Sequence, residues 1–468
     1  MQFAIALADQ GCGDLQYSCF SHLDLAYVYE IIDAYRELWV ENAPLPWNEL
    51  WGHLLALCEN VVRQERFWAP ESAERRTHFV ANRYWIVGVI ARLIEIGTAS
   101  DAFPEKCLQQ AEEILLIMLQ RERGSEFKLD DDAVSVAINS PRGRCIEALI
   151  HLTLHACRSA DKRGAGHVNT WNHFQPIYDA ELTRAENNEY EAVTLVARYR
   201  PNFLWMSKDW VVTNFDKLFN TERYQKWLCA IQGYAHLNRV YDELYDYLKQ
   251  NNHFIRTLDD EHINQKIRGK IVQNIAVMYL SDHETLEDKT SLIIQLLERK
   301  RHPEIRELIW FLWTLRESGN AKIRGKVLEL WPLIVKVIDT STSEGKQLAS
   351  NLCDWAVFID EVDDINRPLI LAVAPYADEN HHSYELLENV ARISERQPLE
   401  AHNIWRRMLE NGLPGYPSEA IQRVLANLVK LGPDGIRKAK ENVSEYIKGG
   451  NEEPFRLLTQ LLDLLKTP

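Results

Sequence analysis

The sequence predicts an all-α protein, and three observations carry that expectation. Apolar residues recur at helical spacing, as in Ile305, Leu308, Ile309 and Leu312, in Ile421, Val424, Leu425 and Leu428, and in Ala439, Val443, Tyr446 and Ile447. Strand-like alternation of apolar and polar residues is nearly absent. The punctuation is helical too: Leu431-Gly432-Pro433 and Gly449-Gly450 stop helices, and Pro454 falls in the first turn of the last one. With 468 residues, 46% of them hydrophobic and including 14 Trp and 18 Tyr, the chain has ample apolar material for a large core.

Taken in order, the elements fall into three regions. Residues 1–158 are rich in tryptophan (Trp39, Trp47, Trp51, Trp68, Trp85) and read as an N-terminal helical bundle, closed by the polar stretch from Arg158 to Gly166. Residues 159–290 form a middle helical domain with Trp205, Trp210, Trp227, Tyr241, Tyr245 and Tyr247. From 291 to 468 the helices come in shorter pairs, broken near Arg301 to Pro303, Asp339 to Gly345, Asp360 to Pro368 and Asn411 to Pro417. That gives a unit of roughly 35 to 45 residues, the period of HEAT- or TPR-like hairpins. One hairpin cannot bury its own apolar stripe, so neighbours stack on it and an α-solenoid is the expected result. An irregular helical bundle would show the same periodicities.

Charge and cysteine usage narrow the function classes. Lys and Arg number 53 against 68 Asp and Glu, a net −15 that repels polyphosphate partners at long range. The one dense basic run, Arg299-Lys300-Arg301-His302, follows an apolar helix and reads as a solvated helix end favoured by the macrodipole, so no nucleic-acid partner is expected. The eight cysteines have no C-x-x-C pair or zinc-finger spacing and read as reduced core thiols. Met1 to Asp9 lacks a basic leader, and no apolar run is long enough for a membrane span, so the expected location is cytoplasmic.

The catalytic motifs that the chain echoes are each incomplete. His151 and His155 share a helical face, yet Leu152 stands where a H-E-x-x-H metalloprotease needs glutamate, so a pair at a helix end is the expected reading. His381-His382, beside Asp378 and Glu379, reads as a loop. The acidic groups Asp130 to Asp132 and Asp360 to Asp364 lack convergent phosphate-binding elements, and Asp132 reads as an N-cap. Gly345-Lys346 fails as a P-loop, because Gln347 follows the lysine and Thr340 occupies the first glycine position; Gly11-Cys12-Gly13 lacks a third glycine in register. There is no G-x-S-x-G elbow. No catalytic residue, metal or cofactor is assigned.

The segment Asn139-Ser140-Pro141-Arg142-Gly143-Arg144 has more specific local physics. Ser140 suits an N-cap, Pro141 a first helical position, and Gly143 lets another group approach the first turn closely. Arg142 and Arg144 then either clamp the carboxylates of Asp130 to Asp132 or project toward a partner. Asn139, Arg142, Gly143 and Arg144 are therefore the candidate binding residues.

Together with the preceding Trp85-Ile86-Val87-Gly88-Val89-Ile90-Ala91-Arg92-Leu93-Ile94-Glu95-Ile96-Gly97 and the following Glu147-Ala148-Leu149, this corner resembles the C-terminal helical region of bacterial antiphage proteins of the antiviral STAND (Avs) group and of related sirtuin-type defence proteins. The resemblance covers mainly residues 30 to 160, with a looser helical-repeat likeness beyond. It implies a non-enzymatic sensor that binds a phage terminase, portal or tail component and relays the contact to an effector or NTPase module. The chain departs from that architecture in showing no P-loop, nuclease or NAD-hydrolysing segment of its own. The alternatives from the residues are a helical enzyme with a metal or nucleotide site assembled from distant positions, or a host scaffold. Among Trp310, Trp313, Trp331, Trp355 and Trp405, one or two exposed anchors are expected and the rest belong to the core.

Overall fold

The computed structural model describes residues 25–69, 82–237, 239–378, 382–414 and 417–464. Among these the fold is helical throughout, without a strand, so the all-α class holds. Gly11 to Gly13, Cys12, Cys19 and His381 lie outside the described residues. No described helix is long and apolar enough to cross a membrane. The chain groups into two compact units, Met1–Ile263 and Asn264–Pro468, where the sequence reading placed divisions near 158 and 290. The first of those divisions falls inside a helix that runs unbroken over Pro141–Lys162 and buries Leu152, Leu154, Ala156, Cys157 and Ala160. Only the end of the polar stretch turns, with Gly164 and Gly166 at φ 74° and 69°.

In the first unit, α1 (Leu25–Val40), α2 (Trp47–Val62), α3 (Arg83–Ala99) and α4 (Leu108–Arg121) are followed by a short α5 (Ala133–Asn139) and the long α6 (Pro141–Lys162). Helix α3 packs along α6 and also against α1, while α4 packs against α2 and α6. Asp132 starts α5 as its N-cap, its carboxylate accepting the Ser135 amide at 2.7 Å. Ser140 ends α5 and caps α6, with Pro141 in the first turn. Beyond α7 (Val168–Thr183) come α8 (Glu191–Arg198), α9 (Arg200–Met206), α10 (Lys208–Thr213), α11 (Phe215–Leu218), α12 (Tyr224–Ala235), α13 (Asp242–Gln250) and α14 (His253–Asp259). Helices α5, α8 and α12 pack together, and α8 reaches α6. Tryptophan fills this core: Trp51 is fully buried and lies so close to Gly97 that a Cβ there would meet its ring at 2.6 Å.

The second unit comprises α15 (Gln265–Leu280), α16 (Leu292–Glu298), α17 (His302–Thr314), α18 (Ala321–Val337), α19 (Ser343–Leu352), α20 (Arg367–Val373), α21 (Ser383–Ser394), α22 (Pro398–Met408), α23 (Ser418–Val429), α24 (Pro433–Lys448) and α25 (Glu453–Leu464). Packing alternates. Helix α15 contacts α17, α17 contacts α19, α21 contacts α23 and α23 contacts α25, with a 3-10 segment at Cys353–Phe358 bridging α19 and α21. The even-numbered helices do the same from α16 through α18, α20 and α22 to α24. Several side-chain links join positions 33 to 36 residues apart: Arg367 with Glu400 is a separation of 33, Arg396 with Glu361 and Ser418 with Glu453 are 35, and Arg407 with the Leu371 carbonyl is 36, while others, such as Trp355 with the Ile309 carbonyl at 46, differ.

Charged runs in this unit take structural roles. Arg299 caps α16 and Lys300 turns the chain at φ 51°, the helix end expected of that basic run. In the acidic loop Asp363 accepts the amides of Ile365 and Asn366 at 2.9 and 2.8 Å, Asp360 pairs with Arg324, and Asp364 pairs with Arg367. His382 sits between Asp354 and Asn351, both at 2.9 Å. Of the tryptophan series, Trp331, Trp355 and Trp405 are fully buried and Trp310 is 50% exposed.

Candidate functional site

A cavity of about 790 Å³ opens on the first unit, within the size range of ligand sites. Four segments line it. Helix α1 gives Tyr29, Asp33 and Arg36, at i, i+4 and i+7, opposite an apolar stripe of Val28, Ile31, Ile32, Tyr35 and Leu38 that enters the core. Helix α3 gives Trp85, Gly88, Val89, Arg92 and Glu95, again along one face, with Tyr84 beside them. The α5–α6 corner gives Ile138, Asn139, Arg144 and Glu147, and the end of α8 gives Arg198 and Tyr199. The two segments that carry the resemblance, 85–97 and 139–149, thus meet around one cavity.

The corner is built by local chemistry. The Ser140 hydroxyl accepts the Gly143 amide at 2.9 Å and donates to the Ala137 carbonyl at 3.1 Å. A Cβ on Gly143 would stand 1.8 Å from that same carbonyl oxygen, so only glycine lets the end of α5 pack onto the first turn of α6. Tyr84 donates to the Asn139 carbonyl at 2.5 Å and ties α3 to the corner.

The four sequence candidates divide between two tasks. Asn139 and Arg144 line the cavity, whereas Gly143 is a packing residue. Arg142 is only 1% exposed and does not reach Asp130 to Asp132. Instead it grips both carboxylate oxygens of Glu181 on α7, donates to the carbonyls of Leu119 and Glu122 at 2.7 Å each, and has Glu189 at 3.5 Å. The expected clamp exists, with a partner 39 residues away instead of in the adjacent loop. Asp132 is occupied as a cap, and Asp131 accepts the Lys128 amide at 2.9 Å.

Charges in the cavity are mostly paired. Arg36 bonds Asp33 at 2.7 Å, Arg92 lies 3.3 Å from Glu95, and Arg198 lies 3.3 Å from Glu147, which also accepts the Tyr199 hydroxyl at 2.5 Å. Burial pushes the Glu95 carboxyl above its usual range, and the Glu147 charge adds to the effect. The same two causes, burial and the Glu147 charge, push the Tyr199 phenol up. Among the described residues, the partly buried Arg144 guanidinium has no hydrogen-bond acceptor and no carboxylate at ion-pair distance. Its stem crosses Gly88, where a Cβ would lie 3.4 Å from the Arg144 Cδ. Trp85, 43% exposed, stands edge-on to Tyr29 and Tyr84.

Sequence reasoning missed Tyr29, Asp33, Arg36, Arg198 and Tyr199, which belong to elements distant from the corner. The polar and aromatic stripe on the otherwise apolar α1 was the available signal. His151 and His155 lie in the middle of α6 and not at a helix end; burial lowers both imidazoles, and their rings pack on Tyr199 and Phe103. Among the described residues no three His, Cys, Asp or Glu gather as a metal site. Cys145, next to Arg144, is wholly buried, which drives its thiol strongly up and keeps it protonated. The cavity therefore presents guanidinium, phenol, indole and carboxylate groups suited to holding a ligand by charge and stacking. No known protein family, curated protein or solved structure matches this chain.

Proposed function

We propose that the chain is a non-enzymatic helical recognition module of a prokaryotic antiphage system, acting in the cytoplasm, which binds a phage terminase, portal or tail protein and relays that contact to an effector or NTPase module. The observation that carries this reading is the convergence of the two resemblance-bearing segments on one cavity lined by four arginines and three carboxylates. In this reading the second unit is a HEAT-like α-solenoid and the first an N-terminal helical bundle. The alternating helix contacts and the recurring separations of 33 to 36 residues support the solenoid. The half-exposed Trp310 offers the kind of aromatic anchor from which protein interfaces draw most of their energy.

Co-expression of the full chain with phage terminase, portal and tail proteins tests the proposal. One of them is expected to form a complex that survives gel filtration and is lost with Trp85→Glu at the cavity rim. Absence of any complex with a folded chain, or turnover of NAD or nucleic acid by the purified protein, would overturn it.

A further inference from the structure

We propose that the cavity is an anchor site for an acidic peptide segment, with a single carboxylate received by Arg144 and neighbouring apolar side chains held against Trp85, Tyr84 and Tyr29; this rests on the recognition reading above. The balance of charge in the cavity selects the ligand. Arg36, Arg92 and Arg198 each have their own carboxylate, in Asp33, Glu95 and Glu147, and Arg144 is the cation left over. One surplus positive charge in a partly enclosed site calls for one negative charge. A polyanion would meet three carboxylates inside the cavity and a chain of net charge −15 around it.

Gly143 permits the corner from which Arg144 projects, and the stem of Arg144 lies over Gly88 in mid-helix, at ordinary contact distance from where a Cβ would stand. The Arg144 charge acts on Glu95 at longer range, but among the described residues its guanidinium has no hydrogen bond or ion pair; the arrangement holds a donor fork ready for an acceptor from outside. The volume of about 790 Å³ accommodates several residues of a loop or chain terminus, and the Trp85 rim supplies flat apolar surface beside the charge. A side-chain carboxylate and a free C-terminal carboxylate offer the same chemistry to Arg144.

Selection from two random-peptide display libraries on the purified full-length chain, one internal and one ending in a free C-terminus, separates those two sources. Enriched peptides are expected to carry one Asp or Glu, or the free terminus, next to an aromatic or aliphatic residue. Titrated as synthetic peptides, they should lose at least about tenfold in affinity with Arg144→Gln, recover part of it with Arg144→Lys, and lose a similar factor when their own acid is amidated. The two losses should not add, because both remove one contact. The melting temperature of Arg144→Gln should match that of the parent.

Enriched peptides without an acid, equal binding to Arg144→Gln, or failure of both libraries to yield binders would overturn the inference. So would Arg144-dependent binding of adenosine monophosphate without acidic peptides, which would assign the cavity to a nucleotide. A phage protein whose complex with the chain ignores Arg144→Gln would sink this inference and leave the recognition reading standing.

Discussion

Arg142 and Arg144 are two residues apart and differ wholly in circumstance. The first lies buried with four acceptors, from Glu181, Leu119 and Glu122; the second faces a cavity with none. Removing one member of a buried, hydrogen-bonded charge pair leaves the other desolvated and unpaired, a cost of about 3–5 kcal/mol. Arg142→Ala is therefore expected to lower unfolding stability by about that amount in urea titrations, and Arg142→Lys to recover little because a single ammonium cannot span the same fork. What the sequence revealed at this scale follows range. The Ser140 cap, Pro141 and the Asp132 cap are decided within four residues and were readable. The partner of Arg142 lies on another helix, and nothing local distinguishes Glu181 from the other glutamates.

Single helices here are joined by a recurring corner. Gly143, Gly345 and Gly435 each occupy the third position of a helix, and a Cβ on any of them would meet a carbonyl oxygen of the preceding segment, from Ala137, Asp339 and Leu428, at 1.8, 1.9 and 1.9 Å. At two of these corners a hydroxyl, Ser140 or Thr342, caps the same glycine amide. The Gly345-Lys346 pair that fails as a P-loop is thus a folding element. Backbone cannot retreat as a flexible side chain can, so alanine at each corner should cost about 1–3 kcal/mol. Gly325, within α18 and with open space around it, is the control: Gly325→Ala should add about 0.5–1 kcal/mol. Thermal unfolding of the four variants checks both signs. Element boundaries were legible where such caps occur, as at Gly432-Pro433 and Gly450. The division at Ile263 was not, because it depends on which helices share a core.

At the scale of the molecule, each compact unit carries a buried neutral histidine. His253 in the first and His402 in the second are both pushed down to about 4, chiefly by burial. His253 accepts the Trp227 indole N–H on Nδ1 at 3.1 Å, which requires that nitrogen to be unprotonated. In the unfolded chain these imidazoles take a proton near pH 6.5, in the folded chain only near 4, so between those values the unfolded state binds more protons. Stability is therefore complete above about pH 6.5 and declines as pH falls toward 4, by up to about 1.4 kcal/mol per pH unit for each histidine. Urea titrations from pH 7.5 to 4.5 should show the decline, and His253→Gln, which keeps an acceptor for Trp227, should make it shallower while leaving the His402 part. At this scale the all-helical class was legible from periodicity alone. The cavity was not, since α1, α3, the α5–α6 corner and α8 bring to it residues more than a hundred positions apart.

The separations of 33 to 36 residues between linked side chains in the second unit bear on how such a chain can change length. On the α-solenoid reading proposed above, a tandem duplication of about that many codons would insert one helix pair whose two faces match their neighbours, so recombination could lengthen or shorten the array while keeping its contacts. On the same reading, an insertion out of step with that spacing would misalign every pair that follows it.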